Sequence, residues 1–206
     1  MLPEQINTIN DFKIISMKEK SSEFLAIVNC VDNEDSTVNQ LQTIRKKYYD
    51  ANHHCYAYKL KTGEVKYSDD GEPNGTAGIR ILNAIEHFDL YDVLLIVVRY
   101  FGGTKLGIGP LGKAYYNASI GVLSESKIIN QSLYKKLLIE TDFSFIKHVH
   151  RVIKNYSAII AETDYTNIAR FNCLIKPMDF ENINIELSNL TNGQILIKLL
   201  SDIKYL

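Results

Sequence analysis

The sequence has few of the features that mark secreted, disulfide-bonded or membrane proteins. Its three cysteines are far apart and include no CxxC pair, which argues against a disulfide framework or a cysteine zinc site and indicates a reducing compartment. The first residues show no basic start followed by an apolar stretch, so no secretory signal is expected. The longest strongly apolar run, Val93 to Val98, is far shorter than the roughly 20 residues of a membrane helix. We therefore expect a soluble, cytoplasmic protein without a membrane partner.

The chain also lacks an excess of charge of either sign. It has 23 Lys and Arg residues against 24 Asp and Glu residues, for a formal net charge of −1. No global cationic field therefore attracts nucleic acid, and any RNA contact has to come from a local patch. The length of 206 residues exceeds the commonest domain size, which favours two domains, and 46% hydrophobic residues are enough for a sizeable core.

The hydrophobic pattern predicts a mixed N-terminal domain, residues 1–129. Apolar residues at spacings of three and four predict helices over 38–48, 76–88 and 110–122, with Thr76 as the N-cap of the second. Val93 to Tyr100 is apolar on both faces, which is typical of a central strand. The other predicted strands are Phe12 to Met17, Phe24 to Val31, His53 to Leu60 and Val65 to Tyr67.

A polar break at Asn130 and Gln131 separates this domain from a C-terminal domain, residues 130–206. The predicted order there is strand, helix, strand, strand, helix, strand. This βαββαβ order is the split, ferredoxin-like pattern, in which two helices cover one face of an antiparallel sheet. The predicted fold class is therefore α+β. The predicted elements are 133–141, 143–156, 158–163, 168–175, 178–190 and 194–200.

Three carboxylates lie close together in the segment SDDGEPNGTAG. Asp69, Asp70 and Glu72 could coordinate Mg²⁺ jointly or divide acid and base roles, which makes them candidate catalytic residues. The alternative is structural, with the acids facing the positive end of the following helix. His53 and Cys55, two apart on a strand, share a face and allow a Cys/His nucleophile, although a strand cysteine is more often a small buried hydrophobe.

A glycine-rich loop follows the central strand in RYFGGTKLGIGPLGKAY. Exposed amides at a helix N-terminus, with Lys105 inside the loop and Lys113 one turn beyond it, are typical of an anion site. The spacing matches neither a Walker A loop nor a dinucleotide fingerprint, and a tight turn without a ligand is the alternative. The loop glycines are Gly102, Gly103, Gly107 and Gly109.

Arg99 closes the central strand, and two aromatic residues follow it. An arginine there either pairs with the Asp69/Asp70 loop or meets a ligand, and we favour the internal pair because burial of an unpaired charge is expensive. Tyr100 and Phe101 could stack on a base, or they could belong to the core. The acidic and cationic loops leave neighbouring elements and are expected to face each other.

The segments HHCYAY, SDDGEPNGTAG and RYFGGTKLGIGPLGKAY, in this order and spacing, resemble the signature of the IMPACT family. The two-domain length resembles its bacterial YigZ branch. The resemblance implies an N-terminal two-layer α/β domain shaped like the second domain of a small-subunit ribosomal protein, with an unusual left-handed crossover. It also implies a C-terminal domain similar to the fifth domain of elongation factor G.

The same resemblance bears on function. Members of the family are not established enzymes, and eukaryotic relatives act in translational control by competing for a partner of a stress kinase. For the bacterial branch, the resemblance implies binding to nucleic acid or ribosomes. Lys113 stands where the family usually has arginine, which keeps the charge but loses a bidentate fork. The residues that match the motif are His53, Asp69, Asp70, Gly71, Glu72, Gly75, Thr76, Gly78, Arg99, Tyr100, Phe101, Gly102, Gly103, Lys105 and Gly107.

Together these patterns favour a translation-associated binding or regulatory protein over an enzyme. It would contact RNA, the ribosome or a translation factor through the glycine-rich face, with Arg99, residues 100–103, Lys105, Gly107 and Lys113 as ligand-binding residues. One alternative is a Mg²⁺-dependent phosphoryl- or nucleotidyl-processing enzyme that uses the DDGE loop, with His53 as base. The other is a pure protein-interaction module. No cofactor other than this Mg²⁺ is implied.

Overall fold

The computed structural model describes residues 2–206, and the chain divides into two compact units, Met1–Asn130 and Gln131–Leu206. Each unit combines helices with antiparallel strand pairs, which is the predicted α+β class. No helix within residues 2–206 is long and apolar enough to cross a membrane. The first unit has strands β1 (Gln5–Ile9), β2 (Lys13–Glu19), β3 (Ser22–Cys30), β4 (His53–Lys59), β5 (Val65–Ser68) and β6 (Val93–Tyr100), and helices α1 (Glu34–Lys47), α2 (Gly78–His87) and α3 (Ile108–Ser124).

The main sheet of the first unit has the order β2-β3-β6-β4-β5, with β6 in the centre. The central position predicted for this strand is confirmed, because its residues from Val93 to Val98 are all buried. β3 and β4 both run antiparallel to β6, so they are parallel to each other and are joined through α1. The register places Arg99 of β6 opposite His53 of β4 and opposite Phe24 of β3.

Helices cover both faces of this sheet, so the first unit has three layers and the predicted two-layer arrangement is wrong. Val97 of β6 belongs to the core that packs on α2 and α3. Ile96, on the opposite side of the strand, belongs to a second core with Leu41 and Ile44 of α1. The physical reason lies in β6 itself, because a strand that is apolar on both sides needs cover on both.

The second unit has the βαββαβ order predicted from the sequence. Its strands pair antiparallel in the order β10-β7-β9-β8, and both helices pack on one face around Phe171, Val149 and Ile183. The predicted helices begin too early, since short 3-10 turns precede each of them. The elements are β7 (Ile128–Thr141), α4 (Ile146–Asn155), β8 (Ile159–Asp164), β9 (Ala169–Ile175), α5 (Phe180–Leu190) and β10 (Ile195–Tyr205).

Candidate functional site

Two loops of the first unit meet at the same end of the sheet. The acidic loop, residues 69–77, connects β5 to α2, and the glycine loop, residues 101–107, connects β6 to α3. A cavity of about 410 Å³ lies between them, and we call it the loop cavity. His53, Glu72, Arg99, Phe101 and Lys105 are among the residues that line it. The expectation that the two loops face each other is therefore confirmed.

A buried ion pair forms one wall of the loop cavity. Arg99 Nη1 donates a hydrogen bond of 2.6 Å to Glu72 Oε1, and the two side chains are only 6% and 4% exposed. Tyr115 donates its hydroxyl to the same oxygen at 2.7 Å. Burial raises the pKa of Tyr115, so the hydroxyl remains a donor. The internal pairing predicted for Arg99 is present, but its partner is Glu72 and not Asp69 or Asp70.

Asp69 closes the N-terminus of α2. Its Oδ1 accepts from the amides of Ala77 and Gly78 at 2.9 and 2.8 Å, and its Oδ2 accepts from the amide of Gly75 at 2.9 Å. The prediction that Thr76 is the N-cap is wrong, since its hydroxyl donates to the carbonyl of a loop proline and the cap position is Ala77. A carboxylate at the positive end of a helix is the stronger acceptor.

The three acids of the loop do not converge on one metal. Asp69 is engaged with amides, Glu72 with Arg99, and Asp70 accepts from Arg45 at 2.8 Å and from the amide of His54 at 2.6 Å. Within residues 2–206 no group of three or more His, Cys, Asp or Glu side chains could hold a metal ion. The joint Mg²⁺ site considered as an alternative is therefore not formed by these acids, because each carboxylate has a separate structural partner.

His53 lines the loop cavity next to Glu72. Its Nδ1 lies 2.9 Å from the carbonyl oxygen of Asp70. A carbonyl can only accept, so Nδ1 carries a hydrogen, and in the neutral tautomer Nε2 is an acceptor. Nε2 lies 3.8 Å from Glu72 Oε1. The position of His53 thus depends on the acidic loop, whose backbone holds the ring.

Cys55 follows His53 on the same face of β4 but is not suited to act as a nucleophile. Its side chain is fully buried, with Sγ 3.0 Å from the carbonyl oxygen of Asp69. Burial raises the pKa of the thiol, which keeps it protonated, and only the thiolate is nucleophilic. The Cys/His alternative is wrong, and the interpretation of Cys55 as a buried hydrophobe holds.

The glycine loop places a cation at the mouth of the cavity. Lys105 is exposed and has no hydrogen bond or ion pair with any part of the chain that the structure describes. Phe101, next to it in the lining, is 43% exposed, and its amide donates to Asn52 Oδ1 at 2.7 Å. Gly107 precedes the first residue of α3, so the amides of a helix N-terminus lie at the same mouth.

Four predicted ligand residues do not line the loop cavity: Gly102 and Gly103 belong to the glycine loop itself, and Tyr100 and Lys113 lie elsewhere. Tyr100 alternates with Arg99 along β6 and therefore lies on the other face, where its hydroxyl donates to Asp50 at 3.0 Å. Lys113 lines a separate groove of about 750 Å³ between α2 and α3, together with Arg80. We call it the helix groove. It adjoins the loop cavity, because Ile108 lines both.

Several residues of the site are not among the candidate site residues predicted from the sequence. Ser22 lies on β3, next to β6, and accepts from Arg99 Nη2 at 3.3 Å. Tyr115 has the spacing of an ordinary core residue of α3, and Asn52 precedes β4 in a turn. Only the buried arginine at the end of β6 indicated that such partners had to exist, because an arginine has five donors to satisfy.

Two motif glycines permit close approaches of the backbone. At Gly78 a Cβ atom would lie 2.8 Å from the backbone of Ser68, so only glycine lets α2 begin against the end of β5. At Gly102 a Cβ atom would overlap the carbonyl group of Ser21 in the turn before β3. The remaining motif glycines lie in the loops themselves, Gly71 and Gly75 in the acidic loop and Gly103 and Gly107 in the glycine loop.

Gly102→Ala is expected to lower the free energy of unfolding of the first unit by about 1–3 kcal/mol, the usual cost of overpacking. The matched control is Gly109→Ala, because a Cβ there meets nothing within 4 Å. The control should change stability by less than about 1 kcal/mol, since the helix propensity of alanine is opposed by the restriction that the following proline imposes. Urea unfolding measures both changes. Equal stabilities of the two variants would contradict the close approach at Gly102.

Comparisons with known proteins identify the family and the fold. The model of the Impact N-terminal domain matches residues 20–123, which include both loops. A solved structure described as that of a hypothetical protein has the same fold, with a TM-score of 0.68 and 21% identity over 98% of this chain and 100% of that one.

Bacterial relatives match the chain over most of its length, whereas a eukaryotic relative matches less than half of it. The IMPACT family member YvyE of Bacillus subtilis is 28% identical over 87% of this chain and 83% of its own length. An IMPACT family member of Thermus thermophilus is 30% identical over 86% of this chain and 97% of its own length. The Protein IMPACT homolog of Dictyostelium discoideum is 38% identical over only 45% of this chain and 28% of its own length. The chain therefore belongs to the IMPACT family and fits its bacterial, YigZ-like branch.

Proposed function

We propose that this chain is a translation-associated binding protein that contacts RNA, on the ribosome or free, through the glycine-rich face of its first unit. The observation that carries the proposal is the division of charges around the loop cavity. The acids there are engaged by internal partners, whereas Lys105 has none among the described residues. A cation of this kind beside helix amides is suited to phosphate.

The face towards solvent is therefore more positive than the net charge of −1 suggests. Asp69 faces the positive end of α2, and Asp70 and Glu72 each pair with an arginine. The helix groove adds Arg80 and Lys113, with Glu86 as its acid. The electrostatic attraction between such a local patch and a polyanion acts over a short distance, and the binding depends markedly on salt concentration.

Phe101 adds a second element of RNA recognition. Its half-exposed ring lies beside the guanidinium of Arg99, whose central carbon is 5.5 Å from the ring centroid. Aromatic rings next to cations bind single-stranded nucleic acid, because every base has a face that can stack. The cation at Lys105 and the ring of Phe101 line the same cavity.

The folds of the two units add support for a role in translation. We propose that the first unit resembles the second domain of a small-subunit ribosomal protein, and the second unit the fifth domain of elongation factor G. The eukaryotic relatives that the motifs resemble act in translational control. Fold alone does not carry function, so the charge distribution remains the main support.

Co-sedimentation with ribosomes and with RNA at low salt tests the proposal. The wild type should sediment with both. Lys105→Glu should weaken the binding and reduce the magnitude of the slope of log affinity against log salt by about 1 or more. Lys46→Glu is the matched control, because it makes the same charge change at an exposed residue of α1, on the opposite face of the sheet. Failure of the wild type to bind at low salt, or equal effects of the two variants, would overturn the proposal.

Nuclease treatment separates this function from the two alternatives. A complex that survives nuclease and contains one protein would indicate a translation factor or another protein partner. The Mg²⁺-dependent enzyme has less support, since Asp69, Asp70 and Glu72 are each engaged by a different structural partner.

A further inference from the structure

We infer that the loop cavity holds an unpaired guanine base of the bound RNA. This inference rests on the proposed function and specifies which part of the RNA enters the site. The cavity, at about 410 Å³, is within the usual range of small-molecule sites, roughly 300–1,000 Å³. It is thus large enough for a nucleobase and too small for a duplex.

The lining of the cavity is suited to a flat, largely apolar group. Leu106, Ile108, Leu111 and the ring of Phe101 form its apolar part. Leu106 and Leu111 are buried, whereas Phe101 is partly open to solvent. A base entering between them would exchange water for apolar and aromatic contacts, as in other single-strand binding sites.

The polar wall has two acceptors that no donor of the described residues satisfies. Glu72 Oε1 accepts hydrogen bonds from Arg99 and Tyr115, but Oε2 accepts no hydrogen bond from residues 2–206. In the neutral ring, His53 Nε2 is the second acceptor, because Nδ1 then carries the only ring hydrogen. Glu72 lines the loop cavity, and Oε2 is not among the buried atoms without a partner, so Oε2 is open to a donor that enters the cavity.

The same wall contains donors without an acceptor among the described residues. Asn52 uses Oδ1 for the amide of Phe101, which leaves its amino group as a donor. Arg99 Nε also has no hydrogen-bond partner there, but it is buried from solvent and does not contribute to the surface that a ligand would meet. The wall therefore presents two acceptors with at least one donor, and the ligand has to present the complementary pattern.

Guanine has this complementary pattern on its Watson–Crick edge. It has two neighbouring donors, N1–H and the N2 amino group, next to the O6 acceptor. Adenine and cytosine each present one exocyclic amino group, and uracil presents a single N–H. Because pairing in a duplex occupies the same edge, the base has to be unpaired.

Lys105, at the mouth, then lies where the phosphates of the strand pass, and the helix groove extends the path with Arg80 and Lys113.

Binding of short RNA strands to the full chain tests this inference, with fluorescence anisotropy at low salt as the readout. The strands are UUGUU, UUAUU, UUCUU and UUUUU, and a fifth strand carries inosine in place of guanosine. We expect UUGUU to bind about tenfold more tightly than the other three, and inosine to lose about tenfold through the missing amino group. Guanosine monophosphate alone is included to distinguish a free nucleotide from a strand.

A pair of variants tests the cavity from the protein side. Phe101→Ala should weaken binding of UUGUU about tenfold by removing the stacked ring. Tyr49→Ala is the matched control, since Tyr49 is 82% exposed next to α1. The melting temperature of each variant shows whether it remains folded.

The outcomes separate this inference from the proposed function. If no strand binds and ribosomes do not sediment with the chain, the proposed function fails. If all strands bind equally, or inosine equals guanosine, RNA binding stands and the guanine assignment is overturned. If guanosine monophosphate binds and no strand does, the assignment to RNA is overturned. An equal loss in Phe101→Ala and Tyr49→Ala would overturn the placement of the base in the loop cavity.

Discussion

Replacing Arg99 with methionine is expected to lower the free energy of unfolding of the first unit by about 3–5 kcal/mol. The change removes the charge that balances Glu72, whose side chain is almost fully buried. A buried carboxylate without its partner has lost the solvation of water and gained no compensating interaction. Urea unfolding followed by circular dichroism measures the change, with the two units fitted as separate transitions.

A second ion pair of the same loop supplies the control. Arg45 pairs with Asp70 at 2.8 Å, but their side chains are 43% and 27% exposed, so Arg45→Met is expected to cost about 0–1 kcal/mol. In the Arg99→Met background, Glu72→Gln should recover much of the loss, since glutamine is uncharged and still accepts from Tyr115. A double variant no more stable than Arg99→Met would show that lost packing, and not the unpaired charge, causes the instability.

Local chemistry made the position of the site predictable from the sequence. The apolar run of β6 predicts a central strand, and a strand of that kind ending in Arg99 requires an acid nearby. The acidic loop follows the predicted strand Val65 to Tyr67, so it had to lie near the end of the sheet. Each of these steps uses only neighbouring residues or the cost of burying a charge.

The details that depend on register could not be predicted in this way. Which of the three acids meets Arg99 depends on the path of the acidic loop, and that path is set by contacts of Asp69 and Asp70 with distant amides. The face of the sheet on which Tyr100 lies follows from the alternation of side chains along β6. The sequence gives no reference point for that alternation, because the partner of Arg99 is not known from it. The apolar residues on both sides of β6 require helices on both faces of the sheet. The sequence of α1 does not indicate which of the two faces this helix covers.

The two oxygens of Glu72 have different roles. Oε1 accepts hydrogen bonds from Arg99 and Tyr115 and therefore stabilises the fold. In the proposed complex, Oε2 accepts from the ligand. A variant at Glu72 would consequently alter stability and binding together, which is why the RNA-side change from guanosine to inosine is the cleaner test of recognition.

Asp69→Ala is expected to destabilise the first unit by about 3 kcal/mol, because it combines the loss of an N-cap with buried amides left unpaired. The carboxylate accepts from three amides, those of Gly75, Ala77 and Gly78. The residue at the cap position, Ala77, has no side-chain acceptor that could replace it. Removal of Asp69 should also loosen the acidic loop and with it the position of Glu72, so RNA binding is expected to weaken in parallel.

Two further variants distinguish the observed cap from the one predicted by the sequence. Asp69→Asn keeps one oxygen acceptor and should lie between the wild type and Asp69→Ala in stability. Thr76→Ala removes a single hydrogen bond to the carbonyl of Pro73, and its expected cost is about 1 kcal/mol. Urea unfolding of the three variants gives the order of stabilities. A loss in Thr76→Ala as large as that in Asp69→Ala would contradict the capping role of Asp69, because the helix would then depend on the hydroxyl and not on the carboxylate.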